Sequence, residues 1–257
     1  MGSTDSQAVA RVAMAFLTPL RRPRLPAPAS LPAGNPYWVA GPVGRVSVIH
    51  VGRGPAVLLV HGWEGQPADF AFVVPCLLQA GFSVIALDLP AHGASDGTMA
   101  SIPVCATSLL RIQQASGALH AVIGHSVGSL IAVHAADMGL QAARMVLISS
   151  PARYEVYARS YASHAGLNVT QTEEMIQMLE SMDVNVRRTS IPEIARRLSQ
   201  KTLFIHSKDD RVVPIGDAVE SAMAWKGASL LLFERLGHHR ILRASLVHEA
   251  ILKFISD

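Results

Sequence analysis

A doubly wound α/β fold with a mostly parallel sheet is the architecture that this 257-residue sequence predicts. Three observations carry it. Short apolar runs, too short for helices and too continuous for half-exposed strands, recur from residue 45 onward. Stretches of helical character separate most of them. One of the runs breaks abruptly into "GHSVG" and then into an apolar helix. Half of the residues are apolar and 16% are charged, so the chain can build a large core and lacks the composition of a disordered one.

Taken in order, residues 7–20, "QAVARVAMAFLTPL", are apolar but interrupted by Arg11, with neither a basic start nor a small-residue cleavage site. They read as a surface-docking helix, not a secretion signal. Residues 21–43 carry many prolines and glycines and read as a loop or extended lead-in, because proline removes donors and disfavours helix before it. "RVSVIHV" alternates like an edge strand. "AVLLVHG", "FSVIALD", "HAVIGH", "RMVLISS", "TLFIHS" and "SLLLFE" then read as strands buried on both faces. "ADFAFVVPCLLQAG", "GSLIAVHAADMG", "DAVESAMAWKG" and "ASLVHEAILKFISD" supply helices. Between "LISS" and "TLFIHS" lie about fifty residues in place of a single crossover. Within them "TQTEEMIQMLESM" has Thr170 and Glu173 in capping-box spacing, and "SIPEIARRL" repeats that spacing with Ser190 and Glu193. The expected organisation is an N-terminal helix and lead-in over 1–44, a first part of the core over 45–150, a small helical lid over 151–198 and the rest of the core over 199–257.

Composition also excludes. A formal net charge of +3, scattered except at "RRPR" (21–24), is too diffuse for a nucleic-acid surface. No apolar run approaches the ~20 residues of a membrane span. Cys76 and Cys105 have neither metal-ligand spacing nor a CxxC partner, and read as reduced core cysteines of a cytoplasmic protein. No HExxH or comparable metal spacing occurs. "GRGPAV" near residue 52 precedes a strand and lacks a third glycine, so it is not a dinucleotide loop.

Gly124-His125-Ser126-Val127-Gly128 sits between an apolar strand and an apolar helix, the context of a nucleophile elbow. A strand that reverses into a helix within about one residue holds the serine in a strained conformation, with small neighbours two residues to either side so that they do not collide with it. The helix N-terminus behind it favours developing negative charge. Serine needs a base and an orienting acid, expected in the order Ser, acid, His. "HSKDDRVVP" offers Asp209 or Asp210 after one strand, and "RLGHHRIL" offers His238 or His239 after another. The base acts only when unprotonated, so the rate should rise with pH through one ionisation.

From about residue 45 to the end the chain resembles the α/β-hydrolase superfamily, through "LLVHGWEG", "VIALDLPAHGASDG", "VIGHSVGS", "HSKDDRVVP" and "RLGHHRIL". In such proteins the acid precedes Val-Pro in a D-x-x-V-P pattern and the histidine follows a glycine, which implies Asp210 and His238 as the partners of Ser126. The resemblance also implies an oxyanion hole made by the backbone N–H groups of Trp63 and Val127. It departs from many relatives at Ala91 and Ser129, where glycine is common. A serine nucleophile points away from relatives with aspartate there, the haloalkane dehalogenases and epoxide hydrolases. The expected activity is hydrolysis of a carboxylic ester with a short to medium, uncharged acyl group, through an acyl-enzyme and without a cofactor or metal. Thioester, lactone or C–C bond hydrolysis and acyl transfer share the same triad, and a non-catalytic binding protein on this fold is the rival of another class. His61 is expected to fix its loop, and His125, at the variable elbow position, is a candidate pocket residue. In the insertion Tyr154, Tyr157 and Tyr161, and likewise Met175, Met178 and Met182, recur at helical spacing. Each stripe either packs on the core or roofs the site, with Tyr157 and Met178 as the pocket candidates.

Overall fold

The computed structural model describes residues 3–21, 31 and 34–257. Among them one sheet contains β1 (Asn35–Gly41), β2 (Gly44–Val51), β3 (Ala56–Val60), β4 (Ser83–Leu87), β5 (Leu119–His125), β6 (Ala142–Ile148), β7 (Lys201–Ser207) and β8 (Ser229–Phe233). Their spatial order is β1-β2-β4-β3-β5-β6-β7-β8. The β1–β2 and β2–β4 pairs are antiparallel, and every pair from β4 to β8 is parallel. The unbroken apolar runs follow from this topology. Val57 and Leu59 of β3 point into one core with Val84 and Ala86 of β4, and Leu58 and Val60 point into the other with Ile85 and Leu87. With both faces covered, the period-2 alternation of side chains carries no polar half.

The helices are α1 (Ser3–Leu17), α2 (Val73–Gln79), α3 (Ile102–Ser116), α4 (Val127–Asp137), α5 (Tyr154–His164), α6 (Val169–Ser181), α7 (Ile191–Ala195), α8 (Ile215–Ala224), α9 (Gly237–Arg240) and α10 (Ser245–Ser256). Residues of α3 and α4 fill the core on one face of the sheet. Residues of α2 and α10 fill the core on the other. Helices α5, α6 and α7 lie between β6 and β7, with a bridge between Arg153 and Ser190 tying the start of this excursion to its end. Helix α1 packs against α5 and α6.

Several expectations need correction. "RVSVIHV" is not an edge strand: β1, in a stretch read as lead-in, pairs along its whole length and takes the edge. β8 is the opposite edge, and its exposure pattern is not that of a strand buried on both faces. Helix α3 had no counterpart among the expected helices; Ser101 caps it by accepting from Val104 N–H, and Pro103 sits in the first turn, where its missing donor costs nothing. The capping box of α6 is Asn168 with Gln171, each side chain accepting from the other's backbone N–H, not Thr170 with Glu173. Glu173 instead receives Arg159 and Arg187. Ser190 does occupy the N-cap of α7, but its hydroxyl is buried and makes no cap bond. Residues 22–30 and 32–33 of the proline-rich lead-in, with all of "RRPR" but Arg21, fall outside the described residues.

Candidate active site

β5 ends at His125 and α4 begins at Val127, so the whole reversal falls on Ser126, with φ 55° and ψ −128°. A side-chain-bearing residue is strained there. The turn is held by Ser126 N–H donating to Ile148 O at 2.8 Å and by Ser129 N–H donating to Ser126 O at 2.9 Å. The flanking glycines are needed for a reason other than the expected clash with the serine. A Cβ at Gly128 would stand 2.3 Å from Val60 O and 2.5 Å from His61 O, and one at Gly124 would stand 2.6 Å from Ser129 Cα. The elbow helix therefore presses directly on the end of β3. Ser129, where relatives carry glycine, turns its buried hydroxyl back to donate to Gly124 O at 2.8 Å. Ala91, the other departure, is accommodated at φ 64°.

The loops after β7 and β8 bring the other candidates to Ser126. His238 Nε2 lies 3.0 Å from Ser126 Oγ, and His238 Nδ1 lies 2.8 Å from Asp210 Oδ2. The second carboxylate oxygen, Oδ1, accepts Val212 N–H and Val213 N–H, each at 2.9 Å. Burial pushes the Asp210 carboxyl up, but His238 and the Val213 and Val212 N–H groups outweigh it and hold the group at about 2. A carboxylate fastened on both oxygens is an ionised, fixed partner for the imidazole. Asp209 points elsewhere, accepting from Ser207 Oγ at 2.5 Å and from Gly237 N–H at 3.1 Å, so it braces the turn that precedes His238. His239 packs edge-on against His238, with ring centroids 4.9 Å apart.

Ser126 and Val127 open onto a cavity of about 490 Å³, which Trp63, Tyr154, Tyr157 and Tyr161 also line. Val127 is the first residue of α4, so its N–H has no carbonyl four residues back within the helix. Trp63 sits in a tight turn closed by Gly65 N–H donating to Gly62 O at 3.0 Å. Tyr157 lines the cavity with its ring while its hydroxyl donates to Asp217 Oδ2 at 2.8 Å. Two pocket candidates are corrected. Met178 packs against the core and does not line the cavity. His125 is 3% exposed and does not line the cavity; its Nε2–H donates to His238 O at 2.8 Å and ties the elbow to the histidine loop. His61 does fix its loop, with Nδ1–H donating to Gly62 O at 2.8 Å and Nε2 accepting Leu89 N–H at 3.0 Å. Phe16 of α1, within the stretch read as a surface-docking helix, also lines the cavity. Its place in an apolar stripe with Val9 and Ala13 marked a buried face without saying what that face covers.

These buried histidines make the fold acid-sensitive. Burial, reinforced by His92, pushes His61 down to about 3, and burial, reinforced by His238, pushes His125 down to about 3. In the unfolded chain both take up protons below about 6.5. The stabilisation is therefore complete above that pH and falls as the pH drops toward 3, by about 1.4 kcal/mol per pH unit for each ring. The urea midpoint should fall between pH 7.5 and pH 5, and less steeply in His125→Gln, which keeps a donor but cannot take up a proton. A midpoint that is flat over this range would contradict the assignment.

Among the described residues no group of three or more His, Cys, Asp or Glu side chains is arranged to hold a metal ion, and no helix is long and apolar enough to cross a membrane. Cys76 and Cys105 are unpaired as disulfides.

A family model described as alpha/beta hydrolase fold matches residues 55–169. The chain is 25% identical over 250 residues to the pimeloyl-[acyl-carrier protein] methyl ester esterase of Xanthomonas campestris pv. campestris (strain B100), covering 80% of this chain and 97% of that one. Among solved structures, an esterase from Exiguobacterium antarcticum superposes with a TM-score of 0.69 at 18% identity, covering 86% of this chain and 99% of its own. A meta-cleavage product hydrolase from Pseudomonas fluorescens IP01 superposes with a TM-score of 0.66 at 19% identity, covering 86% and 97%. With the parallel sheet, the strand–turn–helix elbow and these relatives in agreement, the chain has the alpha/beta hydrolase fold and is similar to esterases and hydrolases that share it.

Proposed function

We propose that the chain hydrolyses a carboxylic ester with a short to medium, uncharged acyl group, through an acyl-enzyme on Ser126. The observation that carries this is the unbroken contact from Ser126 Oγ through the His238 ring to Asp210 at the edge of the cavity. Ser126 Oγ attacks the acyl carbon as His238 Nε2 takes its proton. The carbonyl electron pair moves to oxygen, toward the N–H groups of Trp63 and Val127. Collapse expels the alkoxide, which leaves as alcohol with the proton from His238. Water then attacks the acyl-enzyme, with His238 again as base, and releases the acid. Asp210 keeps the proton on Nδ1 so that Nε2 faces the serine as an acceptor.

The esterase relative supports ester chemistry. The ring faces of Tyr154, Tyr157 and Tyr161 support an uncharged acyl group. In this scheme residues 151–198 act as a small lid, with α5 as its inner surface. A fluorophosphonate should label Ser126, and a p-nitrophenyl ester series measures the pocket. Each buried methylene should raise kcat/KM by up to about fourfold, the equivalent of ~0.8 kcal/mol, until the cavity is full. Absence of labelling at Ser126 would refute the mechanism; a steady rise to very long chains, or a demand for a charged group, would refute the substrate class.

A further inference from the structure

We propose that residues 16–21, resting on the ester-hydrolase function above, form a strap that sets the far wall of the substrate cavity and holds the oxyanion turn in place. Phe16 is the specificity-determining residue, and Leu20 and Arg21 are positioning residues.

The wall comes first. Val9, Ala13 and Leu17 bury one face of α1, and Leu17 O accepts Ala100 N–H at 2.7 Å, so the end of α1 is pinned. Phe16 is thereby presented to the cavity, its ring 5.3 Å from each of Tyr154 and Tyr161. Those two tyrosines are seven residues apart on one face of α5, and Phe16 bridges them. A ring held on both sides in this way cannot swing aside to admit a longer chain.

The clamp follows directly along the chain. Leu20 N–H donates to Glu64 Oε1 at 3.1 Å. The Arg21 guanidinium donates to four carbonyls of one loop: through Nη1 to His92 O at 3.3 Å, Gly93 O at 2.7 Å and Ser95 O at 2.9 Å, and through Nη2 to Gly97 O at 2.7 Å. That loop returns the constraint to the active site. His92 Nδ1–H donates to Pro90 O at 2.9 Å, which leaves Nε2 to accept Glu64 N–H at 3.1 Å. Glu64 follows Trp63 and has φ 53°, a conformation that needs outside support. The strap reaches Glu64 from two sides, at its carboxylate and, through His92, at its backbone. Only a fork of donors serves such a ring of carbonyls; a lysine ammonium has one centre and cannot span them.

The test uses the full chain, with turnover expressed per site titrated by a fluorophosphonate. Phe16→Leu should move the acyl optimum up by about one or two carbons, and Phe16→Trp should move it down, because the wall recedes or advances. Arg21→Ala should lower kcat per titrated site by about tenfold with little change in KM, since the donor is displaced, not deleted. Arg21→Lys should not restore it. Hydrogen exchange at the Glu64 amide should rise in Arg21→Ala, a readout that needs no substrate. An unchanged optimum in both Phe16 variants overturns the wall, and unchanged kcat and Glu64 exchange in Arg21→Ala overturns the clamp. A wild-type chain that Ser126-directed fluorophosphonate fails to label overturns the hydrolase mechanism and with it the role of Phe16, while exchange at Glu64 still decides the clamp.

Discussion

Replacing Ser126 with alanine should lower kcat by about 10⁶-fold on a p-nitrophenyl ester and leave the fold in place. The chemistry accounts for the size of the loss. Without the hydroxyl there is no acyl-enzyme, and His238 has nothing at 3.0 Å from which to take a proton. What survives is water attack assisted by the oxyanion donors and by substrate binding, ~10³–10⁴ over the uncatalysed reaction. The fold survives because the hydroxyl's hydrogen bond is to His238, at the cavity and not within the core. The turn itself rests on backbone groups, Ser126 N–H to Ile148 O and Ser129 N–H to Ser126 O, which alanine keeps. Alanine is no more strained at φ 55° than serine, since both carry a Cβ. Thermal unfolding should therefore match the wild type within about 1 kcal/mol. A folded mutant with near wild-type turnover would show that the elbow does not carry the nucleophile.

What the sequence made legible follows from the range of the forces involved. β3 to β7 were readable because burial on both faces leaves an apolar run with nothing polar to interrupt it. The elbow was readable because its crowding is local: Gly124 and Gly128 are required by backbone within a few ångströms. β1 was not readable, because "NPYWVAG" has a proline at its second position and ends on a glycine, and an edge strand tolerates both where a central strand would not. The strap was not readable because Leu20 and Arg21 find partners 44 to 76 residues away, and no local period announces such a pair. The two aromatic and methionine stripes differ for the same reason. Helical spacing shows that Tyr157 and Met178 each lie on an apolar face, but only the tertiary packing decides that Met178 rests on the core and Tyr157 meets the cavity. His125 illustrates the limit at a single residue. Its position beside the nucleophile suggested the pocket, yet its ring turns under the histidine loop to bond His238 O.

The adjacent pairs give the second large effect. Asp210→Asn and His238→Ala should lower kcat by about 10⁴-fold and 10⁶-fold, while Asp209→Asn and His239→Ala stay within about tenfold of wild type. An asparagine at 210 has one acceptor where the carboxylate has two. If its amide nitrogen faces the backbone, the N–H groups of Val212 and Val213 lose their acceptor. If it faces His238, it donates to Nδ1 and forces the ring proton onto Nε2, where it meets the Ser126 hydroxyl as a donor instead of a base. Either arrangement defeats the relay. Asparagine at 209 has no such conflict. Its oxygen can still accept Gly237 N–H, the contact that steadies the turn before His238, and the group is exposed enough for water to satisfy the rest. Removing the His239 ring takes away its edge-on contact with His238 at 4.9 Å and its tilted contact with His125 at 5.9 Å, and leaves the His238 contacts with Ser126 and Asp210 in place. Rates measured on proteins shown by circular dichroism to be folded decide the matter. Equal losses from the two histidine variants, or from the two aspartate variants, would mean that the contact from Ser126 through His238 to Asp210 is not the one that turns over substrate.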